Sequence, residues 1–360
     1  KMNIAIIPWN DTFLQDKIFG EVDPSINYDD RLTSFSRMKK EFERHGDKLH
    51  TVDLFDPFKV DFFLFFERND EWLKKLANWN LEYKAVYCNA EPPVVNQMHE
   101  EDGIKELLNY FPYIMTWNRD LVDGKRIFKR NMPYCFRINI GTIPFKERKL
   151  LTSISGNKHS NHPKELYSER ERVICAVEKY SPSDFDFYGG GWQKEGHPCY
   201  GGKVGDKAEV YHQYKFALAF ENMKDVNGYV SEKILDCLTA GIVPIYKGAD
   251  DISKYIPQNC FIPYDQFETP EQMIDLLKEI DEDKYNNFLD NAQIFLKSDK
   301  IKLFDGEEYA RNVYYLIDHA GQKDFKITKK YKRKLTISVA KNRIKKYLGK
   351  WKHEMLGDWM

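Results

Sequence analysis

The stretch GYVSEKILDCLTAGIVPIY, residues 228–246, predicts one helix followed by one buried strand. Ser231 is a residue type favoured at a helix N-cap and Gly241 is typical of the position just past a helix end, so we expect the helix over 231–240. Lys233 then falls in the first turn, where the helix dipole disfavours a cation. A phosphate or diphosphate bound by the free amides and the ammonium would remove this conflict. A surface lysine with no ligand is the alternative.

Strand-like and helix-like segments alternate on both sides of this stretch. The alternation predicts mainly parallel sheets flanked by helices, and a polar, turn-rich segment near residues 140–160 divides it into two parts. We therefore predict an α/β fold with two Rossmann-like domains facing a central cleft, whose ligands bind beyond the carboxyl ends of the strands. The predicted segments are an N-terminal domain (1–150), a C-terminal domain (151–320) and a basic tail (321–360).

Several polar residues around Lys233 would complete a site for a nucleotide diphosphate. Glu232 can accept hydrogen bonds from sugar or ribose hydroxyls, and Tyr229 offers a hydroxyl just before the cap. Asn222 follows a neighbouring strand, and Arg170 lies on a predicted helix from which it could grip a phosphate through two hydrogen bonds. This set predicts a diphosphate site built without a metal ion.

Residues 214–267 resemble the donor-binding signature of the α1,3-fucosyltransferases of glycosyltransferase family 10. The matching pattern is an aromatic-rich strand, Phe-Glu-Asn, Gly-Tyr-Val-Ser-Glu-Lys, a helix and Pro-Ile-Tyr-Lys-Gly. The resemblance implies a GT-B fold, in which the N-terminal domain binds the acceptor and the C-terminal domain binds GDP-fucose.

The resemblance also implies roles for the candidate residues. It places Lys233 and Arg170 on the diphosphate, and it turns Asn222 and Tyr229 toward the phosphates. Glu232 would bind hydroxyls of the donor sugar.

Glu91, in the segment YCNAEPP, matches the proposed catalytic base of the family. Ala90-Glu91-Pro92 stands where the family often has Gly-Glu-Asn, which is a departure from its pattern. Inverting fucosyl transfer needs a base for the acceptor hydroxyl and stabilisation of the departing diphosphate, which a carboxylate facing a cationic pocket provides. The flanking prolines predict enough burial to raise the pKa of Glu91. A solvated loop carboxylate is the alternative.

We expect no metal ligand and no required cofactor, because Lys233, Arg170 and the helix end would do the work of a divalent cation. Stimulation by Mn²⁺ or Mg²⁺ stays open. The triplet Asp184-Phe185-Asp186 resembles the metal-binding DxD motif of another transferase fold, but it falls inside a strand pattern, which favours chance. The six cysteines form no CxxC pair and lie mostly in apolar runs, which indicates reduced thiols in a cytosolic protein.

The C-terminal segment is strongly basic. Residues 322–360 hold thirteen Lys/Arg and three Asp/Glu, a net charge of +10, so the first 321 residues hold 42 basic and 53 acidic residues, a net charge of −11. The apolar residues of this segment recur at helical spacing, so we expect a basic amphipathic helix that suits an anionic membrane surface. Packing of this helix against the acidic body of the protein is the alternative. No nucleic-acid-binding module is recognisable, so no nucleic-acid partner is expected. The apolar residues at helical spacing are Ile344, Leu348, Trp351, Met355 and Trp359.

Together these patterns predict an inverting α1,3-fucosyltransferase that moves L-fucose from GDP-fucose to an oligosaccharide or lipid-linked glycan containing GlcNAc or glucose. The expected setting is bacterial, in the glycosylation of proteins or of a surface polysaccharide such as lipopolysaccharide. Neither an apolar run long enough for a membrane span nor an N-terminal anchor and stem is apparent, so we expect a cytoplasmic protein, peripheral on the inner face of the plasma membrane.

Two alternatives stay open at this point. One is a related inverting transferase that makes an α1,4 linkage or uses another GDP-sugar. The other is a protein that binds a nucleotide or glycan without turnover. The sequence does not choose the acceptor, the linkage or the oligomeric state.

Overall fold

The computed structural model describes residues 1–20 and 32–357, with side chains as far as residue 348, and it contains two parallel β-sheets with helices packed on them. The strands are β1 (Asn3–Ile7), β2 (Lys48–Thr51), β3 (Phe62–Phe65), β4 (Ala85–Cys88), β5 (Tyr113–Thr116), β6 (Ile127–Lys129), β7 (Lys149–Ile154), β8 (Phe185–Tyr188), β9 (Tyr214–Phe220), β10 (Val243–Lys247) and β11 (Ile262–Pro263). The α-helices are α1 (Thr33–Arg44), α2 (Asp70–Trp79), α3 (Glu101–Leu107), α4 (Tyr167–Tyr180), α5 (Lys207–Tyr211), α6 (Glu232–Ala240), α7 (Pro270–Lys278), α8 (Glu282–Leu296), α9 (Gly306–Asp318) and α10 (Lys329–Gly357).

The strand order of each sheet defines two Rossmann-like domains. The first sheet runs β2-β1-β3-β4-β5-β6 and the second runs β11-β10-β9-β7-β8. Neighbouring strands within both sheets are parallel, so their carboxyl ends share one edge. Strands such as β4 are buried on both faces, as expected where helices cover a parallel sheet. The prediction of an α/β fold with two such domains is confirmed.

Helix α6 (Glu232–Ala240) forms where Ser231 and Gly241 predict its two ends. Helix α6 starts after Ser231, whose side chain accepts a hydrogen bond from the backbone N–H of Lys233. It ends at Gly241, which has a φ of +73° and therefore the left-handed conformation that favours glycine. A Cβ atom at Gly241 would also approach Ile140 to 2.8 Å, so this position joins the helix end to the segment between the two sheets.

Helix α9 returns the chain to the N-terminal domain. The second sheet begins at Lys149, close to the predicted boundary at residue 150, yet α9 packs with the first sheet instead of with residues 151–320. Tyr309 and Leu316 of α9 are buried in one cluster with Ile4 and Ile6 of β1. The apolar side of α9 is buried here because α1 and the first sheet leave an apolar surface uncovered. The roles given to the three predicted segments stay predictions.

The first half of α10 also packs on the N-terminal domain. Leu335 is fully buried in one cluster with apolar residues of α2, and the Nζ atom of Lys332 lies 3.7 Å from the buried carboxylate of Glu82. Lys334 pairs with Glu106 at 2.9 Å. Packing against the acidic body, the alternative reading of the tail, therefore holds for this half.

The second half of α10 exposes apolar side chains. Ile344, Tyr347 and Leu348 are 60%, 73% and 51% exposed. The side chains of Trp351 and Met355 and the whole of Trp359, which belong to the predicted apolar face, lie outside the described residues.

The packing of α10 predicts a stability difference between two of its apolar residues. Leu335→Ala should lower the free energy of unfolding by about 2–5 kcal/mol, because it removes a buried side chain and leaves a cavity. Ile344→Ala, on the same helix but exposed, should change it by less than about 0.5 kcal/mol. Urea unfolding followed by circular dichroism measures both, and equal effects would show that α10 does not belong to the N-terminal core.

Candidate active site

A buried carboxylate joins the end of β9 to the start of α6. Glu221 follows β9 directly, and its Oε1 accepts the backbone N–H of Ser231 at 2.8 Å while its Oε2 accepts the Ser231 hydroxyl. The same hydroxyl accepts from the backbone N–H of Lys233, 3.4 Å away. The sequence analysis assigned no role to Glu221. The signal was its place beside Asn222, directly after a buried strand.

Lys233 lies folded over the first turn of α6 instead of extending into solvent. Its Nζ is 3.2 Å from Glu232 Oε1, 3.3 Å from the Ser231 hydroxyl and 3.8 Å from Glu221 Oε2, and the side chain is 20% exposed. Burial alone lowers the pKa of Lys233, but the carboxylates of Glu232 and Glu221 outweigh it and raise the pKa. The cation at the positive end of the helix is therefore balanced in part by two carboxylates of the protein itself.

Arg170 and Asn222 both lie at the carboxyl end of β9. The buried guanidinium of Arg170 donates through Nη2 to the carbonyl oxygens of Phe220 and Glu221, both at 2.9 Å. Its positive charge lies close enough to Lys233 to oppose the rise in the pKa of that lysine. The backbone carbonyl of Asn222 accepts from Leu166, which precedes α4. The structure thus places both residues at the strand end that precedes α6, and it gives Arg170 a structural contact that the sequence did not predict, while their roles at a phosphate stay predictions.

Tyr229 lies at the contact between the two domains. Its buried ring packs on Trp117, which follows β5, with the ring centroids 5.0 Å apart. Burial, followed by the negative charges of Glu221 and Glu91, raises the pKa of Tyr229 well above its ordinary value. The orientation of its hydroxyl toward a phosphate stays a prediction.

A cavity of about 680 Å³ lies between the two domains and carries the candidate base on one wall. Glu91 lines it from the loop after β4, and Glu232 lines it from the first turn of α6. The other lining residues used below are Trp9, Phe35, Phe66, Glu67, Arg130 and Lys207. The cleft that the fold class predicts is therefore present, with the candidate carboxylates on opposite domains.

Glu91 and Glu232 titrate differently. Burial raises the pKa of Glu91, and the negative charge of Glu232 raises it further, against the opposing charges of Lys233 and Lys158. For Glu232, burial raises the pKa but Lys233 and Lys207 lower it to about 2, although 47% of the side chain is exposed within the cleft. Glu91 is thus the better proton acceptor of the two, and Glu232 stays ionised.

Arg130 is a second residue of the cleft that the sequence analysis missed. It follows β6, is 1% exposed and donates through Nη2 to the sulfur of Met132, while Nε and Nη1 have no hydrogen-bond partner among the described residues. Its positive charge is among those that lower the pKa of Glu91. Its place at the carboxyl end of a strand, like that of Glu91, was the available signal. A buried cation of this kind favours the ionised form of a nearby base.

Among the described residues, no group of three or more His, Cys, Asp or Glu side chains is arranged to hold a metal ion. In the Asp184-Phe185-Asp186 triplet, Asp184 pairs with Lys278 at 2.9 Å, and Asp186 accepts from Lys149 and Tyr214.

The segment that contains the second sheet matches a family model. Residues 145–302 match the model of the glycosyltransferase family 10 (fucosyltransferase) C-terminal domain. An α-(1,3)-fucosyltransferase of Helicobacter pylori is 34% identical over 109 residues, which are 30% of this chain and 22% of that protein. The 4-galactosyl-N-acetylglucosaminide 3-α-L-fucosyltransferase 9 of Rattus norvegicus is 27% identical over 210 residues, 55% of this chain and 49% of that protein. The chain thus matches half or less of the length of these curated relatives.

The fold matches solved structures over most of both chains. A crystal structure of an α1,3-fucosyltransferase with GDP-fucose aligns with a TM-score of 0.52 and 16% identity, over 89% of this chain and 90% of that one. At this identity the likeness establishes the GT-B fold and no more.

Replacing Arg130 should change the titration of Glu91. Arg130→Met removes a positive charge that lowers the pKa of Glu91, so that pKa should rise further. Arg37→Met is the control, because Arg37 pairs with Asp305 at 3.0 Å and does not line the cleft. NMR titration of the labelled Glu91 carboxyl carbon measures the shift, and an unchanged pKa would show that Arg130 does not act on the base.

Proposed function

We propose that the chain, whose residues 145–302 match the model of the glycosyltransferase family 10 C-terminal domain, is an inverting α1,3-fucosyltransferase that uses GDP-fucose. The acceptor is a hydroxyl of a glycan that contains GlcNAc or glucose. The observation that carries the proposal is the arrangement of charges across the cleft. Glu91 of one domain lies close enough to Glu232 and Lys233 of the other for their charges to act on its pKa.

Glu91 is the general base of the proposed reaction. Its carboxylate accepts the proton of the acceptor hydroxyl as that oxygen forms a bond to C1 of fucose. Its raised pKa brings it closer to the working pH, where a base combines an available lone pair with useful proton affinity. His99 holds the loop in place, because its Nδ1–H donates to the backbone carbonyl of Glu91 at 2.6 Å.

The first turn of α6 receives the leaving group. As the C1–O bond to GDP breaks, its electron pair leaves with the β-phosphate, and the positive end of the helix dipole and the ammonium of Lys233 stabilise that charge. Arg170 adds positive charge and holds the end of β9 against α4. Asn222 and Tyr229 complete the phosphate side, and Glu232 binds hydroxyls of the donor. Residues of this chain carry each of these steps, so the proposed reaction requires no metal ion, and stimulation by Mn²⁺ or Mg²⁺ stays open.

A GDP-release assay tests the function directly. GDP-fucose is incubated with N-acetyllactosamine, its type 1 isomer or lactose, and the linkage of each product is determined. Release of GDP that depends on acceptor and gives an α1,3 product supports the proposal, and an α1,4 product or preference for another GDP-sugar supports the related transferase. Tight binding of GDP without release from any donor would instead support a non-catalytic binding protein.

Replacing Glu91 should separate catalysis from donor binding. Glu91→Ala should lower turnover by about 10²–10⁴-fold, because the acceptor hydroxyl loses its base, while the Kd for GDP stays within about 2-fold. In the unsubstituted enzyme, kcat/KM should fall as the pH drops through the raised pKa of Glu91, since the protonated acid cannot accept a proton. Glu101→Gln on the exposed face of α3 is the control. Wild-type turnover in Glu91→Ala would remove Glu91 from the mechanism.

For the tail, we propose contact with an anionic membrane, which would hold the enzyme at the inner face of the plasma membrane near a lipid-linked glycan of a bacterial surface polysaccharide. The exposed Ile344, Tyr347 and Leu348 beside basic residues support this proposal. Among the described residues, no helix has both the length and the apolar character needed to cross a bilayer.

Vesicle sedimentation tests the membrane contact. Binding to phosphatidylglycerol vesicles should exceed binding to phosphatidylcholine vesicles, because the tail is basic. The double substitution Ile344→Asp/Leu348→Asp should weaken it by at least about 10-fold, since it removes apolar contact and adds negative charge. Ile294→Asp, at a 68% exposed position of α8, is the matched control. Equal binding by all variants would contradict the proposal.

A further inference from the structure

A second carboxyl group of the N-terminal domain lines the same cavity as Glu91, and the proposed mechanism gives it no role. Glu67 follows β3, whereas Glu91 follows the neighbouring strand β4. Both strands end at the same edge of the sheet, so the two side chains reach the cleft side by side. Such a pair of carboxyl groups disfavours double ionisation.

A chain of buried hydrogen bonds connects the two residues. His99 Nδ1 lies 2.6 Å from the backbone carbonyl oxygen of Glu91, and His99 Nε2 lies 2.7 Å from the hydroxyl of Tyr87. The Tyr87 hydroxyl in turn lies 3.5 Å from Glu67 Oε2. Asn96 donates to the same Oε2 at 3.3 Å, and its own Oδ1 accepts from the backbone of Met98, which fixes the orientation of the amide.

The protons along this chain are placed so that Tyr87 has none left to donate to Glu67. Burial lowers the pKa of His99 to about 4, so the ring is neutral and has a single N–H, which Nδ1 must donate because a carbonyl oxygen only accepts. Nε2 then accepts from Tyr87, whose pKa is raised by burial so that it keeps its proton. The only proton of the Tyr87 hydroxyl is thus committed to His99, and Tyr87 cannot also donate to Glu67.

The surrounding charges favour the protonated form of Glu67 and the ionised form of Glu91. Burial and the negative charge of Glu91 raise the pKa of Glu67, and the hydrogen bonds from the backbone N–H of Arg68 and from the side chain of Asn96 oppose that rise. The side chain of Arg68 is directed to Asp70, 2.6 Å away, and to the ring of Tyr110. Lys233, Lys158 and Arg130, by contrast, all act to keep Glu91 ionised.

Aromatic rings form the wall next to Glu67. The centroids of Phe35 and Phe66 are 5.1 Å apart, and that of Trp9 is 6.0 Å from Phe35 and 6.4 Å from Phe66. Phe35 and Phe66 are buried, whereas Trp9 is 40% exposed and lines the cavity. An exposed indole beside a group that can donate or accept hydrogen bonds suits the apolar face and the oxygen atoms of a sugar ring.

From this arrangement, and resting on the proposed function, we propose that Glu67 is a specificity-determining residue of the acceptor subsite. It binds as a carboxylic acid and donates its proton in a hydrogen bond to an oxygen of the acceptor sugar, whose ring lies on Trp9. Glu91 meanwhile stays ionised to act as the base. No bond is broken at Glu67, because it orients the acceptor and does not take part in the transfer.

Acceptor binding to the complex of enzyme and GDP tests the proposal without turnover. The Kd of N-acetyllactosamine is measured by calorimetry with saturating GDP between about pH 5.5 and about pH 8.5. For the unsubstituted enzyme the Kd should rise with pH, because ionisation removes the donor. Glu67→Gln should bind within about 3-fold at low pH and without pH dependence, because its amide keeps a neutral donor. Glu67→Leu and Trp9→Ala should each bind at least about 10-fold more weakly.

The controls separate this inference from the proposed function. Each variant should keep its Kd for GDP within about 2-fold, which also shows that it folds, and Glu101→Gln should bind the acceptor like the unsubstituted enzyme. The role of Glu67 is overturned if Glu67→Gln binds the acceptor as weakly as Glu67→Leu does, or if Glu67→Leu binds it as strongly as the unsubstituted enzyme. Either result leaves the proposed transferase activity intact. A lack of GDP release from GDP-fucose with every acceptor overturns the transferase itself.

Discussion

The clamp between Glu221 and the cap of α6 is the interaction on which the rest of the site depends. A fully buried carboxylate at the end of β9 takes both the backbone N–H and the hydroxyl of Ser231, and Arg170 holds the carbonyl oxygens of the same strand end. Removing either partner would leave a buried group unpaired, which is costly. The helix tip is therefore fixed relative to the sheet, and this holds Glu232 of its first turn at the wall of the cleft.

Charges of both signs are concentrated at the cleft, and their arrangement gives each charged residue a separate role. Lys233 is held between two carboxylates, so it remains a cation near the helix tip, while Glu232 remains an anion at ordinary pH. Glu91 lies across from them with a raised pKa, and the buried Arg130 limits that rise. A site of this kind presents positive charge to an anionic leaving group and keeps a separate base available.

The end of the chain returns to the first domain and packs on it. Helix α9 buries Tyr309 and Leu316 in the N-terminal core, and the first half of α10 buries Leu335 there as well. Segments from the end of the chain thus complete the domain that its beginning starts. The contact between Trp117 and Tyr229 adds a direct link between the two domains beside the candidate base.

Local sequence determined the elements of this protein, and tertiary structure decided how its charges combine. Alternating apolar segments, the Ser231 cap and the Gly241 end predicted the two parallel sheets and α6, because propensity and capping act within a few residues. The same reasoning proposed Arg170, Asn222, Tyr229, Glu232 and Lys233 as polar residues near strand or helix ends, and the family resemblance pointed to Glu91. It did not find Glu67, Arg130 or Glu221, nor the packing of α9 on the first sheet. Their roles arise from neighbours far away in the chain, since a carboxylate or guanidinium acquires its pKa and its partners only when folding has buried it among particular charges.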